Sequence, residues 1–462
     1  MFLVLGQNVL ADFIIRYEDG SHEISKYDPR LSDSLSLLSK SVSYIEEDRI
    51  LYKHALESRD PLVFDQWIFN NYINDSFSKS KALESEMDRV SVAVIDTGIL
   101  NHEDLINVMP GADFISDVEN SRDGDGRDED PEDLGDYGPS SCKTSNSNSS
   151  WHGTHIAGIV GSTSHNDVGI RGINDQVNIV PIRVLGPCGG KTSDIADAIR
   201  WSVGGQVEGL SQNSNPVKVV NLSLGGRGSC SNYLQEAIDF ATDQGALVVV
   251  SAGNEASSID SAEFTPVNCK GVFKVGSIHS SLTQSNFTNY GKKIDVYAPG
   301  DNIYSTFNSG YSTSSYDDYA FLSGTSMSAA VVSSIAAGVM GLNSNLTLDQ
   351  VKNIMASSGE LIDCFYGDCE GKLALDPLRA YQKALVTLGD PSYSYDDNDV
   401  EGGVETINSN DTNFTTNSDG GKCGTIIRKS DRQSFYRLMS SFTIILMAFL
   451  LINSMLALRM KD

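Results

Sequence analysis

Six apolar runs of strand length, alternating with segments of helical periodicity, constrain this chain more than any other feature. The runs are VSVAVID (90–96), VNIVPIRVL (177–185), VKVVNLSL (217–224), ALVVVSAG (246–253), VFKVGSI (272–278) and IDVYAP (294–299). They are continuous rather than alternating, the pattern of parallel strands buried on both faces. Helical segments fall at 152–162, 193–205, 231–245, 324–342 and 347–359. Ser193, Ser231 and Thr347 stand where N-caps are expected, and Gly245 and Gly359 where helices stop. Alternating strands and helices predict an α/β fold, a doubly wound, mostly parallel β-sheet with helices on both faces. Ligands of such sheets sit beyond the carboxyl ends of the strands. Asp96, Ser223 and residues 251–254 all occupy such ends.

One of these ends carries Asp-Thr-Gly (96–98), a motif that serves two protease chemistries. An aspartic protease needs two carboxylates sharing a proton, hence two such motifs or a dimer of small chains. This chain has one motif in 462 residues. The other chemistry needs a serine, an imidazole to take its proton, and a carboxylate to orient the imidazole. SSWHGTHIAG (149–158) puts His152 at a helix start, where Gly153 and Gly158 allow close backbone approach. FLSGTSMSAA (321–330) puts Ser326 just inside another helix, whose first N–H groups can meet a developing oxyanion. VVVSAGNEAS (248–257) adds Asn254, an amide donor for the same charge. Alone, GTS is usually a turn into a helix and a buried histidine is usually structural. The order Asp96, His152, Asn254, Ser326 is far more specific.

With these motifs in this order the chain resembles the subtilisin-like serine proteases, the subtilase superfamily, over roughly residues 10–380. PIRVLGPCGGKTSDIADAIRWSVGG, NLSLGGRGSC and DGDGRDEDPEDLGD resemble its disulfide-bearing secreted bacterial members. The resemblance implies a serine endopeptidase, a hydrolase acting through an acyl-enzyme. In it Asp96 orients, His152 is base and then acid, Ser326 is the nucleophile, and Asn254 with the Ser326 N–H binds the oxyanion. It also implies extended peptide substrates pairing beside Ser223, Leu224, Gly225 and Gly226 and near Gly189 and Gly190. Ser251, Ala252 and Gly253 then form one wall of the primary specificity pocket, whose floor is not assigned. The implied disulfides are Cys142–Cys188, Cys230–Cys269 and Cys364–Cys369, with Cys423 left over; sequence alone permits many pairings. Where the family continues its serine motif with Pro, His and Gly, this chain has Ala330, Val331 and Ser334, which shape the packing beneath the serine.

The acidic stretch SRDGDGRDEDPEDLGD (121–136) suggests structural calcium. Asp123, Asp125 and the Arg127 carbonyl have the one-three-five spacing that starts a calcium loop, and Asp117 and Asp130 are placed to complete an oxygen cage. No glutamate stands at the twelfth position, so this is no EF-hand; the competing reading is a solvated acidic loop.

The chain divides into an atypical signal-like start (1–9), an inhibitor-like α+β propeptide (10–57), a catalytic domain (58–388), a polar stalk (389–437), a transmembrane helix (438–458) and a tail (459–462). In the propeptide, ADFIIRYEDG (11–20) predicts a strand and turn, LSDSLSLLSKS (31–41) a helix and VSYIEEDRIL (42–51) the last strand, with self-cleavage near 56–60. Residues 438–458 carry no charge over 21 positions, enough to span a bilayer. A net charge of −27 argues against nucleic acid as a partner. Seven cysteines without a C-x-x-C pair, and sequons at Asn74, Asn148, Asn221, Asn286, Asn345, Asn410 and Asn413, argue for a glycoprotein of the secretory route or cell surface. Asn221 lies in an apolar strand and is expected to be unmodified. Basic residues ahead of the span, Arg428 to Arg437, argue for the opposite orientation. The expected partners are protein or peptide substrates, the chain's own propeptide and the membrane. The rival reading is a catalytically inactive homologue serving as an anchored scaffold, which the intact Asp96, His152, Asn254 and Ser326 oppose.

Overall fold

A computed structural model describes residues 12–19, 21–25, 41–48, 59–70, 72–138, 142, 148–366 and 368–388. The first described strands, β1 (Asp12–Tyr17), β2 (His22–Ser25) and β3 (Val42–Asp48), form an antiparallel sheet in the order β2-β1-β3. β1 and β3 match the two expected strands, β2 was not expected, and the expected helix at 31–41 lies outside the described residues. So do the stalk, the 438–458 run and Cys423.

Short helices α1 (Trp67–Asn70) and α2 (Ser76–Ser80) lead into the main body. Its strands are β4 (Val90–Asp96), β5 (Ala112–Asp113), β6 (Val177–Arg183), β7 (Val219–Leu222), β8 (Gly226–Arg227), β9 (Leu247–Ser251), β10 (Phe264–Thr265), β11 (Phe273–Ile278) and β12 (Val296–Pro299). Then come the hairpin β13 (Ile303–Asn308) and β14 (Asp317–Leu322), and the edge strands β15 (Gly359–Leu361) and β16 (Leu373–Leu375). The helices are α3 (Val118–Ser121), α4 (His152–Gly161), α5 (Thr192–Ser202), α6 (Asn232–Asp243), α7 (Thr325–Leu342), α8 (Leu348–Ser357) and α9 (Pro377–Thr387).

Nine strands form one sheet in the order β15-β16-β12-β11-β9-β7-β4-β6-β5, parallel except for β15 against β16. From β4 the chain runs out to the edge strand β5, returns to β6, then crosses to β7 on the other side of β4 and continues away. The crevice beyond β4 and β7 is therefore the switch point where α/β sheets take their ligands. β7 and β9 are buried along their whole length, which is why their sequences do not alternate. Helices α4 and α7 pack together and against the sheet, as do α5 and α6.

Helix α7 is the one described helix long and apolar enough to cross a membrane, and it is a core helix instead. Sixteen of its 18 residues are buried, Ser326 and Met340 being the exceptions. Its small residues let neighbours approach: a Cβ on Gly338 would lie 2.6 Å from the Tyr381 hydroxyl.

Two of the three expected caps are present. Ser231 Oγ accepts from the Leu234 N–H at 3.2 Å, and Thr347 forms a reciprocal capping box with Gln350. Ser193 does not cap: α5 begins at Thr192, with Lys191 at the cap position, two residues before the expected cap. Gly245 stops α6 at φ +77° as expected. Gly359 is instead extended within β15, where a Cβ would lie 2.1 Å from the Ala374 carbonyl oxygen. Replacing Thr347 by Ala should cost about 1 kcal/mol. Urea unfolding of that variant in a Ser326→Ala background should show a lower midpoint with an unchanged slope.

Candidate active site

β4 delivers Asp96 at its buried carboxyl end, and the chain then turns on Gly98 at φ +102°. α4 starts from Trp151, which is fully buried in the left-handed region and donates from its indole Nε1 to the Gly310 carbonyl at 2.7 Å. Helix and turn meet through two glycines: a Cβ on Gly153 would lie 2.0 Å from the Gly98 oxygen. That approach places His152 Nδ1 2.7 Å from Asp96 Oδ1. The same oxygen accepts from the Thr97 N–H at 2.8 Å. Thr97 Oγ1 accepts from the Gly153 N–H at 2.9 Å and donates to Asp133 Oδ2 at 2.7 Å, so turn, helix and acidic loop are laced together. Burial pushes the Asp133 carboxyl up to about 7.

Donation from Nδ1 to a carboxylate leaves Nε2 of neutral His152 as the acceptor. Burial alone would depress this imidazole, but the Asp96 carboxylate, joined by Asp136 and Asp133, outweighs it and holds the pKa above the ordinary 6.5. The neighbouring His155 behaves oppositely. It is fully buried, its Nε2 lies 3.0 Å from the Ala320 carbonyl, and burial pushes it down to about 3. His155 is thus a packing residue that stays neutral near neutral pH, and His152 is the imidazole suited to proton transfer.

Ser326 opens α7, one residue after Thr325. The Thr325 N–H and hydroxyl both donate to Asn254 Oδ1, at 2.9 and 3.0 Å. Two donors on one atom identify that atom as the amide oxygen and leave Nδ2 as a donor facing the Gly324 backbone. The Ser326 hydroxyl donates to the Ser223 carbonyl at 3.1 Å. No hydrogen bond joins it to His152 among the described residues. α7 is laced to β7 by Ser333 Oγ to Asn221 Oδ1, Asn221 Nδ2 to Ser223 Oγ, and Ser223 Oγ to the Ser326 carbonyl, each 2.9 Å. Asn221 is fully buried within this chain, which explains why its sequon has no room for a glycan. The departures from the family pattern pack without strain. Ala330 and Val331 are fully buried, and Ser334 Oγ donates to the Val160 carbonyl of α4 at 2.6 Å.

A cleft of about 590 Å³ reaches Ser326 and Asn254, while His152 and Asp96 are not among the described residues that line it. Ser326 and Asn254 line it, as do Gly189, Gly190, Ser223, Leu224, Gly225, Gly226, Ser251, Ala252 and Gly253. The sequence did not identify the wall facing Gly226. That wall is β10 with Pro266 and Val267, held by the antiparallel pair Thr265↔Gly226. It also missed Asp136, which lines the cleft with Thr97 and accepts from the Ser150 N–H and hydroxyl at 2.6 and 2.8 Å. A third omission is Asn289, fully buried, which holds the 252–257 loop. Its Oδ1 accepts from the Glu255 and Ser257 N–H groups, and its Nδ2 donates to the Ala252 carbonyl. No local motif marks any of these residues, because each acts across a long sequence separation.

The three disulfides implied by the resemblance are present: Cys142–Cys188, Cys230–Cys269 and Cys364–Cys369. Cys188 also lines the cleft. The acidic loop gathers differently from expectation. Ligand oxygens of Asp123, Asp125 and Asp128 lie within 4.8 Å of one another. Asp117 caps α3 and Asp130 accepts from the Glu132 N–H, while the Arg127 guanidinium spans Asp194 and Asp197, which does not engage the carbonyl expected as a ligand. Asp128 joins the group because its backbone bridges to Asp113, folding the loop back on itself. Burial, then the charges of Asp125, Asp123 and Asp130, raise Asp128. An all-oxygen set under mutual repulsion fits a hard cation.

The subtilase family model matches residues 87–382. An extracellular protease of Xanthomonas campestris pv. campestris is 41% identical over 339 residues, 72% of this chain and 57% of its own length. An extracellular basic protease of Dichelobacter nodosus is 39% identical over 329 residues, 68% of this chain and 54% of its own. The chain thus spans little more than half the length of these curated relatives. A solved protease structure from Pseudoalteromonas arctica superposes with a TM-score of 0.66 at 39% identity, covering 71% of this chain and 99% of that one. This chain belongs to the subtilase family.

Proposed function

We propose that the chain is a secreted-type serine endopeptidase using Asp96, His152 and Ser326. The observation that carries this reading is the 2.7 Å pairing of His152 Nδ1 with buried Asp96, on a helix packed against the one that brings Ser326 to the cleft. In this mechanism the Ser326 hydroxyl exchanges its resting contact with Ser223 for His152 Nε2 once substrate fills the cleft. Ser326 Oγ then attacks the peptide carbonyl carbon while His152 Nε2 takes its proton. The oxyanion meets Asn254 Nδ2 and the Ser326 backbone N–H. The C–N bond breaks as His152 gives its proton to the leaving amine. Water hydrolyses the acyl-Ser326 ester, its proton passing through His152 back to Ser326. Asp96 holds the imidazole and stabilises its cation without taking the proton.

The antiparallel β2-β1-β3 sheet supports reading 10–57 as a propeptide removed near 56–60 and retained as an inhibitor. The uncharged run 438–458 supports a membrane anchor, and the three disulfides support a catalytic domain outside the cytosol. Calcium held by Asp123, Asp125 and Asp128 would neutralise the repulsion in their loop. One observation favours the rival reading of an inactive scaffold: the Ser326 hydroxyl rests on Ser223 rather than on His152.

A fluorophosphonate probe should label the wild type and not Ser326→Ala; absence of label on both, beside a labelled control subtilase, would favour the scaffold. Loss of this serine should lower kcat about 10⁶-fold, a figure carried over from subtilisin itself rather than derived from this geometry. Because His152 must be neutral to act, activity should fall as pH drops through its raised pKa. Asp136→Asn removes one of the charges raising it and should move the acidic limb of kcat/KM to lower pH; an unmoved limb would show that Asp136 does not tune His152. Calcium should raise the unfolding temperature of Ser326→Ala by more than that of the same protein carrying Asp125→Asn and Asp128→Asn. Equal shifts would remove the loop from the list of calcium sites.

A further inference from the structure

We propose that the tip of the β13–β14 hairpin, through Tyr311 and Tyr316, docks the polypeptide stretch that follows the scissile bond. The inference rests on the protease reading and adds a surface outside the cleft. The two strands pair in register from Ile303↔Leu322 to Asn308↔Asp317, so residues 309–316 form the tip. Asn308, nearly fully buried, organises it: its Oδ1 accepts from the Gly310 and Ser315 N–H groups at 3.0 and 2.7 Å. Ser309 and Tyr316 close the base of the tip with reciprocal backbone and hydroxyl bonds. From outside, the Ser149 N–H donates to the Tyr311 carbonyl at 2.6 Å, Ser149 Oγ to the Ser312 carbonyl at 2.9 Å, and Trp151 Nε1 to the Gly310 carbonyl at 2.7 Å.

On this fixed backbone the two rings are left bare: Tyr311 is 77% exposed and Tyr316 81%. Neither stacks on another aromatic ring among the described residues. Tyrosines on a rigid support offer a large amphipathic contact area with little conformational entropy left to lose. The position of the tip selects the occupant. Its external anchors, Ser149 and Trp151, immediately precede His152, and β14 runs through Ser323 and Gly324 directly to Ser326. The hairpin is therefore continuous with both reacting side chains. None of its residues lines the cleft, whose 223–226 and 186–190 walls are the ones the resemblance gives to the acyl half of the substrate. A polypeptide seated there by its acyl half carries its leaving half beyond Ser326 and His152, the residues to whose chain neighbours the hairpin is joined. Residues 309–321 include exposed Asp317 and Asp318 and no basic residue, so the surface suits a neutral or cationic stretch.

The test uses the processed full-length enzyme and two substrates with one acyl-side sequence. One ends in a small chromogenic amine; the other continues for about eight residues, up to ~27 Å when extended. In the double variant Tyr311→Ser/Tyr316→Ser, kcat/KM on the long substrate should fall about tenfold, the scale of a modest contact hot spot. Its value on the short substrate should stay unchanged. The double Tyr→Phe variant, which keeps the rings, should stay close to wild type on both. Unchanged kcat/KM on the long substrate would overturn the proposal, as would an equal fall on both, which would make the tip a prop for His152. A wild type inert towards the short substrate would sink the protease reading itself, and this inference with it.

Discussion

The close contact between the Gly98 turn and the start of α4 governs the rest of the site. It joins a strand end to a helix start 56 residues apart through the Asp96–His152 hydrogen bond. A side chain on Gly153 would force the two apart, because the space it needs is filled by the Gly98 backbone, and one on Gly98 would collide with the Pro131 carbonyl of the acidic loop. Most of the surrounding structure holds that contact in place. β4 sits inside the sheet between β7 and β6, Thr97 bridges to Gly153 and Asp133, and Trp151 pins the helix start to the β13–β14 hairpin. An imidazole needs its carboxylate partner within hydrogen-bond reach to keep one tautomer, and small displacements cost much of the benefit. The rigidity is therefore local to the two reacting groups and is supplied by ordinary backbone packing.

Electrostatics around His152 is equally local. The chain's net charge of −27 is screened over about 8 Å at physiological salt, so distant carboxylates contribute little. Three near ones, Asp96, Asp136 and Asp133, act against the burial that would otherwise depress the imidazole. His155, three residues away in the same helix, has no such company and is held neutral. Two histidines in one motif thus diverge because one faces carboxylates and the other faces a carbonyl and the core.

Much of this was legible in the sequence because its signals are short-range or periodic. The six apolar runs all became strands of one sheet, since strands buried on both faces cannot hide their composition. Thr347 and Ser231 announced their helices by capping; Ser193 misled because α5 starts without a side-chain cap, at Lys191, and takes both Thr192 and Ser193 into its first turn. Gly359 misled for a deeper reason. A glycine can be required by a close backbone neighbour as well as by a left-handed turn, and sequence does not distinguish the two. The cleft walls built from Ser223–Gly226 style motifs were found, whereas β10, Asp136 and Asn289 were not. Those residues enter the site through pairings that only tertiary structure makes. The acidic loop shows the same limit: spacing identified Asp123 and Asp125, but the bridge between Asp113 and Asp128 decided the third member.

The bond from Ser334 to the Val160 carbonyl has a geometric consequence. Val160 stands eight residues beyond His152 in α4, and Ser334 eight residues beyond Ser326 in α7, a rise of about 12 Å along each helix. The two helices work like the arms of a pair of tongs, riveted at equal distances from their tips. Ser334, remote from the cleft, thus ties together the two helices that carry His152 and Ser326, where the glycine usual in the family would leave them meeting by packing alone.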